Sequence, residues 1–548
     1  MTPYRVSPPD VQFGVDARWG IPYALDPSYH RWPIHVVGLS GGGKSTLLGN
    51  GAEQFAAAGE GCLVLDIKDG QLAQQVAART AFPERLVYVS PGQCYFNGDQ
   101  RFWGFNPLEF DRTDANQRDS VVAAMMEVFT RLGTSQQEFT QVKLYLNMAL
   151  YLALSADRPT LITVETILQS QRYRRGLYTD PKRRKMVPAN ILKEWERFDS
   201  LQGSKTYDKV GSTIPRVMSF LIPDALRYML GQDESTLTIG KWLNDGKLVV
   251  IDCASGMPGK SDLHASTSVA LGNLILASVI TEAMTRPDPE KHDSTYWRLV
   301  CDEMDQLAGD SFVDLIDKAR TRRTLPVMAH QSRDQLQNEP GKKKLHSAMG
   351  RCRVQIELPQ GDYDLYERSR VISEAEVEAL RNLQQFTARL TLITGLTGNR
   401  EHETIALENW RRPVVEGQLE AAIADQQPNT RSGSELKRVF AHEYDRWSVA
   451  YTPYAITATG HEMMDPEDEQ PRPTPKRAKH NQSQRRDQQP DVLEVEATPQ
   501  AAPIPETGQL LDADFPDRSS VPDVADAGPV PDSGRRSRRR TPFPRADQ

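Results

Sequence analysis

The sequence has few of the features that tie a chain to an oxidising compartment or to a bilayer. Its five cysteines (Cys62, Cys94, Cys253, Cys301, Cys352) are scattered without CxxC spacing, which excludes a disulfide framework and a cysteine-based zinc site. Cys62, Cys253 and Cys301 lie in or beside apolar runs and read as buried thiols. The opening "MTPYRVSPPDVQFG" lacks an apolar core of the kind a signal peptide needs. The longest apolar segment, "VALGNLILASVI" (269–280), is shorter than the roughly 20 residues of a membrane span and carries Asn273. Basic charge is not in excess either: the formal net charge is −7, so nucleic-acid contact would need a local patch or an oligomeric channel. Hydrophobic residues make up 39% and aromatics 7%, enough for a core but low enough that part of the chain is expected to lie outside it. These absences give the reading of a reduced, cytoplasmic protein with no transmembrane segment.

What is present is organised in blocks. The 548 residues allow two to four domains at about 100–200 residues each. Residues 1–33 are Pro-rich and irregular, with short strand-like pieces. From 34 to 114 strands and helices alternate: "IHVVG", "STLLGNGAEQFAAAG", "GCLVLDIK", "GQLAQQVAART", "RLVYVSPG". Such alternation predicts a parallel α/β sheet. Residues 115–245 turn helical in period, with "RYRRGLYTDPKRRK" (172–185) as a basic interruption, and read as an all-α insertion. The alternation resumes over 246–395, through "KLVVIDCA", "YWRLVCDEMD", "TLPVMAHQ" and "RCRVQIEL". Residues 396–464 read as a partly ordered extension. Beyond 465 the chain is rich in Pro, Asp, Gln and Arg, cannot bury enough surface to offset its ordering entropy, and is expected to be a disordered tail ending in "GRRSRRRTPFPR".

The chemistry concentrates in a few places. "GLSGGGKS", Gly38 to Ser45, matches GxxxxGK[ST] between a strand and an amphipathic helix. Gly38, Gly41, Gly42 and Gly43 let successive backbone N–H groups wrap phosphates. Lys44 reaches the β and γ phosphates, Ser45 offers a hydroxyl to Mg²⁺, and Thr46 opens the helix whose N-terminus favours the anion. ATP with Mg²⁺ is therefore the expected ligand. A phosphate loop needs an acid on a distant strand. "RLVCDEMDQ" supplies Asp302 to orient Mg²⁺ and Glu303 to polarise the attacking water; Asp252, without a neighbouring acid, reads as a strand-end residue. "TLPVMAHQS" delivers Gln331 at a strand end, with the right chemistry to hold water or sense phosphate, while His330 reads as structural. "DKARTRR" places Arg320, Arg322 and Arg323 near a helix end. Arg320, next to the helix body, is the candidate to act in trans on a neighbouring site, and the same cluster would also suit a DNA-contacting patch.

Taken together, "HVVGLSGGGKST", "LVLDIKDGQL", "WGFNPLE", "LVCDEMDQLAG" and "MAHQSRDQL" resemble the conjugative coupling proteins of type IV secretion, the TraG/TraD-type ATPases within the HerA–FtsK superfamily of RecA-like motors. The element Asp66, Lys68, Asp69, Gly70 and the stretch Gly104 to Leu108 discriminate more than the phosphate loop, which many folds share. The resemblance spans about residues 30–395. It implies a RecA-like domain interrupted by an all-α domain, and homo-hexameric rings with ATP at subunit interfaces and DNA in a central pore. It also implies nucleotide and metal roles for Lys44, Ser45, Asp302, Glu303 and Gln331. Two departures stand out: the family's N-terminal membrane helices are not found in this sequence, and Asp69 precedes the glycine that often follows the lysine directly. The expected function is an ATP-dependent DNA translocase with relaxase or secretion-channel partners, acting in the cytoplasm or held at the membrane by a partner. The alternative is an ATPase that energises protein transport without nucleic acid.

Overall fold

A computed structural model describes residues 11–448, apart from residue 26 and the short segments 93–94, 97–98, 132–135, 202–209, 257–261, 287–294, 308, 338–341, 395–398 and 408–411. The expected disordered tail from 465, with its basic terminal cluster, lies outside the described residues, as does Cys94.

The strands, in chain order, are β1 (Gln12–Asp16), β2 (Pro22–Ala24), β3 (Ile34–Val37), β4 (Gly61–Asp66), β5 (Leu86–Val89), β6 (Tyr95–Phe96), β7 (Asp99–Phe102), β8 (Leu248–Asp252), β9 (Trp297–Cys301), β10 (Thr324–His330), β11 (Val354–Glu357), β12 (Thr387–Thr394), β13 (Asn399–Leu407) and β14 (Arg431–Ser432). β6, β7 and β14 form a small separate sheet. The others build one 11-stranded sheet in the order β2-β1-β13-β12-β11-β3-β10-β9-β4-β8-β5. From β5 to β11 every pairing is parallel. From β11 outward to β2 every pairing is antiparallel. The far edge thus draws on β1, β2 and β13, segments that the sequence places outside the 34–395 alternation.

The parallel strands are apolar runs because both of their faces are covered. Side chains alternate between two cores. Cys62, Val64, Val250, Val300 and Val36 pack under α1 (Lys44–Ala57) and α2 (Gln71–Arg79). Leu63, Leu65, Ile251, Leu299 and Met328 face the opposite layer. That layer contains the helix Ala265–Thr285, whose Leu271, Leu274, Ile275 and Val279 are buried in the core. It is the one helix among the described residues long and apolar enough to cross a membrane, and its burial accounts for that composition.

Between β7 and β8 every described element is a helix, and the core continues into this segment through Phe129, Leu146, Trp195 and Phe220. The discriminating "GFNPL" element is the stitch. Asn106 Nδ2 donates to the carbonyls of Pro159 (2.9 Å) and Asp233 (3.0 Å), and Gly104 N donates to Thr236 Oγ1 (2.9 Å). The basic interruption at 172–185 is not a loop. It folds as Gln171–Thr179 and Pro181–Arg184, because Tyr173, Leu177 and Tyr178 fall on one buried face. Arg174 turns inward with them, bonded to Asp199 (2.6 Å) and stacked on Trp195 and Phe198.

Candidate nucleotide site

The phosphate-loop motif joins β3 to α1. Gly43, at the N-cap of α1, has φ +107°, a conformation open mainly to glycine. A Cβ there would also lie 2.9 Å from Leu407 Cδ1 and 3.0 Å from the Phe386 ring. Gly38 is needed for proximity instead, since its Cβ would come 2.5 Å from that of Leu358. Lys44 is buried and folded back over its own loop, donating from Nζ to the carbonyls of Gly38 (2.7 Å) and Leu39 (3.2 Å). Burial lowers its pKa below the usual lysine value, against the opposing field of Asp302 and Glu303. Ser45 is exposed and Thr46 half-buried at the mouth of the loop.

The strand order brings the acid pair to this loop. β9 is not next to β3; β10 lies between them, with Val37 level with His330 and Cys301 level with Met328. The carboxyl ends of β3, β10 and β9 therefore share one edge, where ligands of open α/β sheets bind. Asp302 and Glu303 leave β9 there, both buried. Burial and the neighbouring Glu303 push the Asp302 carboxyl up to about 6. Its Oδ1 accepts from Glu303 N at 2.9 Å. Glu303 has φ +49°, a rare conformation for a side chain of this size. That turn directs its carboxylate sideways. Oε1 accepts from Gln331 Nε2 at 2.6 Å and from Lys68 Nζ at 3.1 Å. Oε2 is buried and has no hydrogen-bond partner among the described residues.

Lys68 is the functional candidate to which the sequence reading gave no role, although it stands in the quoted "DIKDG". The signal was a lysine just past an apolar strand whose end lies on the same edge. Asp66, the last residue of β4, shapes the turn by accepting from Lys68 N (3.0 Å) and Ala73 N (3.2 Å). Burial works against the Lys68 charge, but the bond to Glu303 and the fields of Glu303 and Asp302 more than offset it, and its pKa lies above the usual value. Asp252 faces elsewhere: it accepts from Tyr88 Oη (2.9 Å) and from Ala254 N and Ser255 N (both 3.0 Å).

Beneath the edge, His35 of β3 and His330 of β10 stack in parallel, with centroids 5.1 Å apart and Nε2 atoms 2.8 Å apart. His330 Nδ1 lies 2.9 Å from the Ser332 carbonyl, which can only accept. Nδ1 of His330 therefore carries the proton, and His35 Nε2–H donates to His330 Nε2. Burial keeps both rings neutral, depressing His330 to about 3. The pair ties the phosphate-loop strand to the strand that carries Gln331.

The structure thus brings together Lys44, Ser45, Asp302, Glu303 and Gln331, and adds Lys68. Arg320 is not among them. It precedes β10, about 20 Å from the carboxyl edge along seven residues of strand. There its guanidinium stacks on Trp32, which Arg353 also contacts. Among the described residues no cluster of three or more His, Cys, Asp or Glu is arranged to hold a metal by itself.

Residues 297–415, from β9 through β13, match the family described as the TraM recognition site of TraD and TraG. No curated protein matches the sequence. Among solved structures, the chain is similar to the bacterial conjugative coupling protein TrwBdeltaN70 in its unbound monoclinic form. The identity is 16% and the TM-score 0.51, over 74% of this chain and 91% of that one. The trigonal form in complex with sulphate gives 17%, 0.51, 74% and 92%. The plasmid coupling protein TrwB in complex with ADP and Mg²⁺ gives 16%, 0.50, 74% and 92%. The fold is accordingly the one these coupling-protein structures share, an α/β core with a mostly parallel sheet.

Proposed function

We propose that the chain is a coupling-type motor that binds ATP with Mg²⁺ and spends its hydrolysis on moving DNA, as a homo-hexameric ring with sites at subunit interfaces. One observation carries the reading: the glycine loop, Asp302–Glu303 and Gln331 converge on one sheet edge, with β10 between the loop strand and the acid strand. Lys44 would leave its own carbonyls for the β and γ phosphates. Ser45 and Asp302 would hold Mg²⁺, which supplies charge neutralisation on the phosphates. Two side chains with few protein ligands suit that ion, which is usually held by one or two carboxylates together with substrate phosphates. The residues fit the ligand on their own terms, since a cation beside Asp302 would relieve the cost of its buried charge. Glu303 takes the proton of the attacking water, with Oε2 free of donors among the described residues for that task. Gln331 and Lys68 fix Oε1 and thereby the direction of the carboxylate.

The resemblance to coupling proteins supports DNA as the moved polymer and a cytoplasmic place of work. The match over 297–415 supports recognition of a protein partner of the DNA-processing complex there. Arg320, distant from its own chain's site, would act only on a neighbour's. The test is ATP turnover of the full chain with single-stranded DNA, double-stranded DNA or none, over a salt series. Turnover should rise with DNA, and the stimulation should fade steeply with salt as phosphate contacts are lost. Stimulation by a protein substrate alone, or a flat response to salt, would refute the DNA reading.

A further inference from the structure

The nucleotide reading leaves one end of the ligand unassigned, and the opposite flank of the phosphate loop has a group suited to it. The acids and Gln331 lie on the β10–β9 side of β3, which fixes the γ-phosphate end. The remainder of a nucleotide must then run the other way, over β11 and β12. β12 is two strands from β3, about 10 Å at ordinary strand spacing.

Just before β12 stands a short turn, Gln384 to Phe386, that grips the loop. Gln385 Nε2 donates to the Gly41 carbonyl at 2.9 Å. The Phe386 ring lies against Gly43, whose imagined Cβ would be 3.0 Å from its Cδ1. Phe386 is held at φ +59°, an unfavourable region for an aromatic residue, and Leu407 N pins its carbonyl at 2.7 Å. Strain of this kind persists where surrounding contacts over-determine it, and it concentrates at ligand sites. The strain here does not bury the ring: Phe386 remains 38% exposed beside the loop.

We infer that Phe386 is the platform on which the nucleobase stacks, with Gln385 locking the turn to the phosphate loop. This rests on the nucleotide reading above and deepens it. An aromatic face accepts any base, so the platform sets affinity for nucleosides over bare phosphates and discriminates weakly between adenine and guanine.

The test compares binding of the non-hydrolysable analogue ADPNP and of inorganic tripolyphosphate, both with Mg²⁺, by calorimetry on the full chain. Wild type should bind ADPNP more tightly than tripolyphosphate. Phe386→Leu keeps bulk against Gly43 but removes the π face, so it should weaken ADPNP by about 5- to 150-fold, the range of one base stack, and leave tripolyphosphate unchanged. Phe386→Trp should retain ADPNP affinity. Equal loss for both ligands in Phe386→Leu would make the ring a mere prop for Gly43, and loss for neither would remove it from the site; either overturns the inference. Wild type that binds neither ligand overturns the nucleotide reading itself, and the platform with it.

Discussion

Lys68→Met isolates the contact least visible in the sequence. Lys68 Nζ sits 3.1 Å from Glu303 Oε1, with the carboxylate side chain 2% exposed and the lysine 47% exposed. Unscreened by that exposure, two charges at this distance would interact by about 5 kcal/mol at an effective dielectric constant of about 20. Water already competes for the half-exposed ammonium, so the net loss is nearer about 1–2 kcal/mol, at the low end of the usual range for a hydrogen bond to a charged group. If that energy holds Glu303 in its working direction, kcat should fall about 5- to 30-fold. ADPNP affinity should stay within about twofold, because no bond joins Lys68 to the phosphate loop. Lys68→Arg should restore most of the rate. Steady-state ATP turnover, beside calorimetry, reads each of these. A rate loss that arginine fails to repair, or an ADPNP affinity that falls with the rate, would refute a positioning role.

Three further outcomes follow from the same geometry. Lys44→Ala removes a buried ammonium that the phosphates would engage, worth about 2–3 kcal/mol, so ADPNP binding should weaken roughly 30- to 150-fold by calorimetry; affinity within a few-fold of wild type places the phosphates elsewhere. Gly70→Ala forces a Cβ to within 2.6 Å of Asp252 Oδ2 at φ +72°, and should cost about 2–4 kcal/mol in denaturant unfolding, whereas a loss under about 0.5 kcal/mol would contradict the close approach. His330, at about 3 when folded and about 6.5 when unfolded, makes the unfolded chain take up the proton first as pH falls. Its contribution is complete above pH 6.5, drains on the way down to pH 3, and at pH 5 is already reduced by about 2 kcal/mol. His330→Gln should flatten the slope of Tm between pH 8 and pH 5 relative to wild type, and identical slopes would count against a buried neutral pair.

The parts of the site that a sequence can carry are those written in consecutive residues. Glycine spacing between a strand and a helix marks Gly38 to Ser45, and apolar runs that stop at Asp302 and Gln331 mark strand ends. What consecutive residues do not encode is which strands lie side by side. Nothing in "LVCDEMD" or "TLPVMAHQ" says that β10 inserts between β9 and β3, yet this places Gln331 against Glu303. Lys68 and Glu303 are 235 residues apart, and His35 and His330 are 295 apart. The antiparallel edge was obscured for another reason. "HETIAL" in β13 mixes charge with apolar residues because it is half-exposed, so it lacks the continuous apolar run that marks β4 or β8. The helix at 171–179 was hidden by arginine: counted as charge, Arg174 argues for solvent, but paired with Asp199 under Trp195 it is core.

Under the proposed function, the geometry of Glu303 also constrains how hydrolysis would be coupled to motion. β9 is flanked by β10 and β4, and each neighbour sends one side chain to the same oxygen: Gln331 from beyond β10, Lys68 from beyond β4. The carboxylate is therefore set by three strand ends and not by β9 alone. Its positive φ sets the direction in which the side chain leaves the strand end. A shift of β10 relative to β9 must pass through Gln331, and it is also felt at β3, because His330, one residue earlier, is bonded to His35. The phosphate loop and the Glu303 carboxylate are thus joined through one strand, β10. A displacement at the γ-phosphate end has a direct mechanical route to Glu303 that bypasses Lys68, while Lys68 gives β4 an independent hold on the same group. Loosening either hold should slow turnover by a different route. Loss of Gln331 would uncouple the carboxylate from the phosphate loop, and loss of Lys68 would leave that coupling intact with the carboxylate less well aimed.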